Sequence, residues 1–110
     1  MTLAATFEAL ADPTRRGVVE LLKTKPRRAS DLADALGQSR PAMSRHLKVL
    51  RDTGLVEPAN DAEDMRARVY QLRPEPFREL GDWVAKIERF WTAELDAFKR
   101  HAEKKHGRRR

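Results

Sequence analysis

The chain has 110 residues, 40% hydrophobic and 36% charged, with a formal net charge of +6, which fits one small domain of roughly 100 residues and excludes two independent cores. No apolar run approaches the roughly 20 residues needed to span a bilayer, and Met1-Thr2-Leu3-Ala4-Ala5 lacks the charged and apolar regions of a signal peptide; the expectation is a cytoplasmic protein with no membrane partner. Cysteine is absent, which excludes disulfides, thiolate metal sites, iron–sulfur clusters and cysteine nucleophiles.

Charge is unevenly placed. Residues 99–110 hold seven basic side chains against one acidic, so this tail accounts for the whole net charge and the remainder is neutral. Within that remainder, residues 13–51 carry ten basic and three acidic groups, whereas 52–98 carry six basic and eleven acidic. A polyanionic partner is therefore to be sought along 13–51 rather than inferred from the total.

In chain order, Leu3, Phe7 and Leu10 recur at helical spacing, and Asp12-Pro13 ends this first helix and starts a second with proline in its first turn. Val18, Val19, Leu21 and Leu22 are the apolar positions of the second helix, which Lys25-Pro26-Arg27-Arg28 closes as a turn. Leu32, Ala33 and Leu36 predict a short helix of about two turns, with Gly37 as the left-handed residue beyond its end. Ser39 is a good N-cap for a fourth helix with Pro41 in its first turn, Met43, Leu47 and Leu50 as its buried stripe, and an end before Gly54.

Beyond Gly54 the pattern turns to β. Leu55-Val56-Glu57-Pro58 and Ala67 to Leu72 are short strand-like runs around the polar loop Ala59 to Arg66, predicting a two-stranded ribbon or wing. From Pro74 onward, Phe77, Leu80, Val84, Ile87, Trp91, Leu95 and Phe98 repeat every three or four residues, with Trp83 and Phe90 widening the stripe. A helix of roughly 25 residues, about 37 Å long, is the expectation. So small a body cannot cover that stripe, which predicts a second subunit packed through the first and last helices by Leu3, Phe7, Leu80, Trp83, Val84, Ile87, Trp91 and Leu95. The fold class is thus mainly α with a small two-stranded β wing; residues 1–98 are expected to form one domain that binds the polyanionic partner and dimerises, and 99–110 to form a basic, partly disordered tail.

A helix-turn-helix lays its second helix in the major groove, so it needs a buried stripe on one side and short polar residues at the exposed amino end. The segment Ser30 to Thr53 has both: Leu32, Ala33, Leu36, Gly37, Met43 and Leu47 are packing positions, and the other face offers Ser39, Arg40, Ala42, Ser44, Arg45, His46 and Lys48. Arginine can grip guanine with two hydrogen bonds, serine can bond a base or a phosphate, and alanine can touch a thymine methyl. Arg40, Ser44 and Arg45 are assigned to base edges, and Lys48, Arg15 and Arg16 to phosphates, which position without reading sequence.

The stretches Phe7-Glu8-Ala9-Leu10-Ala11-Asp12-Pro13-Thr14-Arg15-Arg16 and Ser39-Arg40-Pro41-Ala42-Met43-Ser44-Arg45-His46-Leu47-Lys48-Val49-Leu50, followed by Gly54-Leu55-Val56, resemble the ArsR/SmtB winged helix-turn-helix repressors. The resemblance covers about residues 3–98. It implies a homodimer that binds a partly palindromic operator in double-stranded DNA and represses transcription, with the recognition helix at Ser39 to Thr53 and the wing at Leu55 to Leu72.

Metal-sensing members of that family often carry cysteines at the start of the third helix, where this chain has Arg28-Ala29-Ser30-Asp31-Leu32. Others bind zinc through an Asp-x-His pair and later ligands in the last helix; Asp82-Trp83-Val84 lacks the histidine, and His101 and His106 are five apart, about 140° around a helix. The chain is similar instead to a subgroup without recognised metal ligands, so no metal and no cofactor are expected, and the effector is left unassigned.

Each assignment has a plainer counterpart. His46 contacts DNA or packs at the turn, with metal binding or pH sensing as the alternative. His101 and His106 are solvated tail residues or an intersubunit site, and Trp83, Phe90 and Trp91 are interface or core rather than an effector pocket. Arg66 and Arg68 in the wing are set to reach DNA, against repulsion from Asp61, Glu63 and Asp64. With no phosphate-cradling glycine loop and no pairing of nucleophile with base, the chain is not expected to be an enzyme. The remaining alternative is a winged-helix protein or RNA interaction module with only nonspecific DNA affinity.

Overall fold

The computed structural model describes residues 2–64 and 67–107. Its elements are α1 (Leu3–Leu10), α2 (Pro13–Leu22), β1 (Arg27–Arg28), α3 (Ala29–Ala35), α4 (Arg40–Asp52), β2 (Val56–Pro58), β3 (Val69–Leu72) and α5 (Pro74–Gly107). Three helices begin on the side-chain caps that short polar residues provide: Thr2, Asp12 and Ser39 accept from the backbone N–H groups of Ala5, Arg15 and Ala42. Pro13 follows its cap directly and Pro41 comes one residue after Arg40, both in a first turn where a missing N–H costs nothing.

The chain divides into two compact units, Met1–Arg78 and Glu79–Arg110. In the first, Val18 and Leu22 of α2, Leu32 and Ala33 of α3, and Met43, Leu47 and Leu50 of α4 are buried with Leu55, Val56 and Tyr70. Fully burying a side chain such as Leu or Val contributes about 1.5–3 kcal/mol, so the i, i+3, i+4 pattern of these residues holds α2, α3 and α4 together. Ala9 and Thr6 are the buried residues of α1, and the Thr6 hydroxyl donates to the Thr2 carbonyl at 3.4 Å.

The expected ribbon is present as β2 and β3, joined by a third strand. Sheet order is β1-β3-β2, all antiparallel, with Val56 opposite Leu72 and Arg27 opposite Tyr70. Arg27-Arg28, read from sequence as part of a turn, thus supplies two residues to the sheet. β3 has an edge to fill, and the Arg27 Nε donates to the Leu21 carbonyl at 3.0 Å, fixing the entry of β1.

The second unit holds α5 from Glu79 onward. The whole helix has 34 residues, about 51 Å at 1.5 Å per residue, against the 25 or so expected. No proline follows Pro76 and no glycine lies between Gly81 and Gly107, so nothing breaks it. Along it Trp83, Val84, Ile87, Phe90, Trp91, Leu95 and Phe98 are exposed, Trp91 by 59% and Phe98 by 71%. Among the described residues no helix is long and apolar enough to cross a membrane.

Candidate nucleic-acid interface

Two glycines set the frame of the helix-turn-helix. Gly37 has φ 63°; its N–H and that of Gln38 donate back to Asp34 and Ala33, the paired bonds that close a helix through a left-handed residue. Gly54, with φ 76°, repeats this at the end of α4, where Gly54 and Leu55 donate to Arg51 and Leu50. Both ends of the turn and the far end of α4 are therefore fixed by backbone bonds, and the azimuth of every α4 side chain follows from the buried stripe.

That azimuth sorts the candidate DNA-binding residues. Met43, Leu47 and Leu50 face the core, while Ser39, Arg40, Ser44, Arg45 and Lys48 are exposed; Arg45 and Lys48 lie on the helix side away from that stripe, whereas Arg40 and Ser44 stand on its flank beside Leu47. Among the described residues, the Arg40 and Arg45 side chains have neither an ion pair nor a hydrogen bond. Lys48 pairs with Asp52 at 2.9 Å, both ends well exposed; such a surface pair is weak and readily exchanged for a phosphate.

Ala42 and His46 sit differently, half-buried on the flank of α4. The His46 Nδ1 lies 3.8 Å from the Asp12 carboxylate at the head of α2. The backbone N–H of Arg15 holds the Asp12 carboxyl below its ordinary value; burial opposes this, and the charges of His46 and Arg15 assist.

Arg15 and Arg16 are engaged with the end of α1. The Arg15 Nε donates to the Ala9 carbonyl at 2.6 Å and its Nη2 to Glu8 at 3.3 Å, while the Arg16 Nη1 donates to Leu10 and Ala11. The Glu8 carbonyl also accepts the Ala11 N–H at 3.2 Å; at Ala9, Leu10 and Ala11 the guanidiniums take the place of the amide partners that a helix end lacks. Arg16 is exposed and keeps donors facing solvent, whereas Arg15 is half-buried.

In the wing, Asn60 is the organiser. Its side-chain amide donates to the Ala67 carbonyl and accepts from the Val69 N–H, both at 3.1 Å, stapling the two sides of the loop. Arg68 is half-buried and its Nη2 reaches the Ala62 carbonyl at 3.5 Å; Arg66 lies outside the described residues, as do the His106 side chain and Arg108 to Arg110. Of the candidate interface residues, Leu3 and Leu80 are half-buried and Phe7, Trp83, Val84, Ile87, Trp91 and Leu95 exposed. His101 is exposed, and among the described residues no three His, Asp or Glu side chains gather to hold a metal ion.

Two positions escaped the sequence reading: Asp12 as the partner of His46, and Arg51, whose Nε is shielded from solvent without a hydrogen-bond partner. Neither has a local signature, because each depends on elements brought together by folding.

The family model for bacterial regulatory proteins of the arsR family matches residues 12–58, from the cap of α2 to the end of β2. Over 92 residues the chain is 43% identical to the HTH-type transcriptional regulator Rv2034 of Mycobacterium tuberculosis, covering 84% of this chain and 80% of that protein. The chain belongs to the ArsR family. It is also 38% identical to the arsenical resistance operon repressor of Escherichia coli, over 82% of this chain and 73% of that one. Among solved structures, the homodimeric winged helix-turn-helix DNA-binding domain of the possible ArsR-family regulator Mb0332 from Mycobacterium bovis is similar with a TM-score of 0.61 at 28% identity, covering 79% of this chain and 78% of that one. The shared winged helix-turn-helix is the ArsR scaffold on which the exposed face of α4 is carried.

Proposed function

We propose that this ArsR-family protein is a cytoplasmic homodimeric repressor that binds an inverted-repeat operator in double-stranded DNA and needs no metal or cofactor to do so. The observation that carries the reading is the exposed face of α4, where Arg40, Ser44, Arg45 and Lys48 stand together and both guanidiniums lack internal partners among the described residues. Solvent-exposed five-donor forks with no internal partner are free to exchange water for guanine edges and phosphates. Ser39 caps the helix whose first turn carries Arg40, which ties down the reading end of α4.

Dimerisation supplies the second half-site. The exposed apolar side chains of α5 are a surface that a second copy would cover, and the exposed Phe7 and half-buried Leu3 of α1 are candidate positions of their own. Repression rather than another outcome of DNA binding is supported by the relative named as an operon repressor. That relative concerns arsenic; this chain has no cysteine with which to hold it through sulfur.

Selection of bound sequences from a random duplex pool, at fixed salt and with either zinc or a chelator, tests the proposal. Enrichment of one inverted repeat with half-sites about one or two helical turns apart, the same under both conditions, is the expected result. Failure to enrich any sequence would favour a winged-helix module for protein or RNA, and a repeat lost on adding zinc would reveal a metal site.

A further inference from the structure

Beside the exposed face of α4 the first unit contains a groove of about 320 Å³, formed by the start of α3, one flank of α4 and β3. Its volume lies at the lower end of the range of about 300–1,000 Å³ typical of small-molecule sites. Ala29, Met43, Leu47 and the buried Tyr70 give it apolar walls, and three guanidiniums, Arg28, Arg40 and Arg51, line it without a single carboxylate among the lining residues.

The three arginines differ in what they already hold. Arg28 is drawn to Asp31 at 3.4 Å; Arg40 has no partner among the described residues. The Arg51 Nε is shielded from water and donates to nothing. A guanidinium does not escape such a position by losing its proton, and a buried donor left without an acceptor is uncommon in a folded protein. An acceptor bound in the groove would resolve it by drawing the half-buried Arg51 guanidinium outward, since the Nε is out of reach of any groove oxygen where it now stands.

We propose that this groove binds a small organic acid with an apolar body. Its carboxylate pairs with Arg51 and the neighbouring arginines, and its hydrocarbon part lies against Met43, Leu47 and Tyr70. A DNA phosphate would satisfy the arginines equally well; a free acid of matching size can in addition enter the groove and lay its hydrocarbon along the apolar walls, and for that reason the organic acid is favoured. Arg40 and Ser44 line the groove and also belong to the face assigned to DNA, so the acid and the operator compete; this second clause rests on the proposed function.

Amide-resolved NMR titration of the DNA-free full chain with 3-phenylpropionate, its neutral amide and inorganic phosphate tests the site. The expected result is saturable shifts at Ala29, Ser30, Ser44 and Leu47, with the neutral amide binding about tenfold or more weakly because it cannot form a charge-assisted pair. Arg51→Lys, which keeps the charge and removes the Nε donor, is expected to bind about fivefold or more weakly while its spectrum stays dispersed. The proposal is overturned by no shifts at these residues up to roughly 20 mM probe, a range that covers weak millimolar sites, by equal binding of acid and amide, or by wild-type affinity in a folded Arg51→Lys or Arg51→Met. Tighter binding of phosphate than of 3-phenylpropionate overturns it in favour of a DNA backbone site. Because no DNA is present, these outcomes are independent of whether an operator exists. Release of a selected duplex by saturating 3-phenylpropionate supports the competition, and retention of the duplex with the groove occupied overturns it.

Discussion

The His46 Nδ1 lies 3.8 Å from the Asp12 Oδ2, so a residue of α4 touches the cap of α2. Asp12 is thereby used twice, since the same oxygen accepts the Arg15 N–H at 3.0 Å. Both side chains are partly withdrawn from solvent, at 20% and 31% exposure for His46 and Asp12. The bond to the backbone and the nearby positive charges favour the ionised carboxylate, and the stability it contributes is coupled to how α4 is seated on α2.

Acid should weaken this junction. The Asp12 pKa is lowered on folding from an ordinary value of 3.8, so its contribution is complete above that value and is lost as pH falls through the folded one. Asp12→Asn keeps a capping oxygen and is expected to flatten the dependence of stability on pH below 4. Asp12→Ala removes the cap and should cost about 0.5–2 kcal/mol at pH 7. Urea denaturation of the three proteins at pH 7 and pH 3 measures both effects, and an unchanged acid slope in Asp12→Asn would count against the linkage.

Arg15→Ala is expected to lose stability before it loses DNA contacts. Its guanidinium caps two carbonyls at the end of α1, and hydrogen bonds from a charged donor contribute about 1.5–3 kcal/mol. Arg15→Lys should recover only part of the loss, because one ammonium does not reproduce the fork. Arg16→Ala, at an exposed position, should cost less. Thermal unfolding without DNA ranks the three; equal melting of Arg15→Ala and wild type would remove Arg15 from the structural role.

The helix-turn-helix was legible because its signals are local. Ser39 and Pro41 mark a helix start, Gly37 and Gly54 mark helix ends, and Met43, Leu47 and Leu50 fall on one face whatever the rest of the chain does. The strand at Arg27-Arg28 was not legible: its partner, Val69-Tyr70, lies far along the chain, and a two-residue run has no periodicity to read. His46 carried the same limitation. Its place on α4 follows from spacing, but its turn toward α2 follows from where Asp12 arrives. The charges of Arg15 and Arg16 suggested phosphate contacts, and only folding brings the carbonyls of α1 within their reach.

Gly37 should be sensitive despite open space around it. A Cβ there would meet nothing within 4 Å, yet its φ of 63° lies in the region side chains avoid. Gly37→Ala is therefore expected to cost about 1–2 kcal/mol from backbone strain alone, and Gly37→Asn less, since asparagine tolerates that region better. Urea midpoints decide it, and a neutral Gly37→Ala would mean that the turn relaxes.

Arg45 and Lys48 should fail in different ways. If Arg45 reads a base edge, Arg45→Ala costs about 1–3 kcal/mol on the selected operator and relaxes preference at one position, whereas Lys48→Ala weakens every sequence alike and lowers the salt slope by about 1. Removing the partner of Lys48 by Asp52→Asn should instead raise affinity for all sequences, because the ammonium no longer exchanges one anion for another. Competition against random duplex at two salt concentrations separates these outcomes; equal loss on operator and random DNA for Arg45→Ala would reassign it to the backbone.

Trp91 tests whether the apolar face of α5 is covered by a second copy. Its ring is 59% exposed and meets Phe90 edge to face, with centroids 6.2 Å apart. An exposed aromatic in the middle of an apolar row has little to lose in a single chain, so any drop in melting temperature in Trp91→Glu reports the lost partner rather than a lost core contact. In a dimer the same change would bury a carboxylate against hydrocarbon from the partner, which is costly without a counter-charge. Sedimentation equilibrium is expected to show Trp91→Glu shifted toward monomer, with operator affinity falling in parallel because a single half-site remains. A variant that stays fully dimeric would move the interface away from this face.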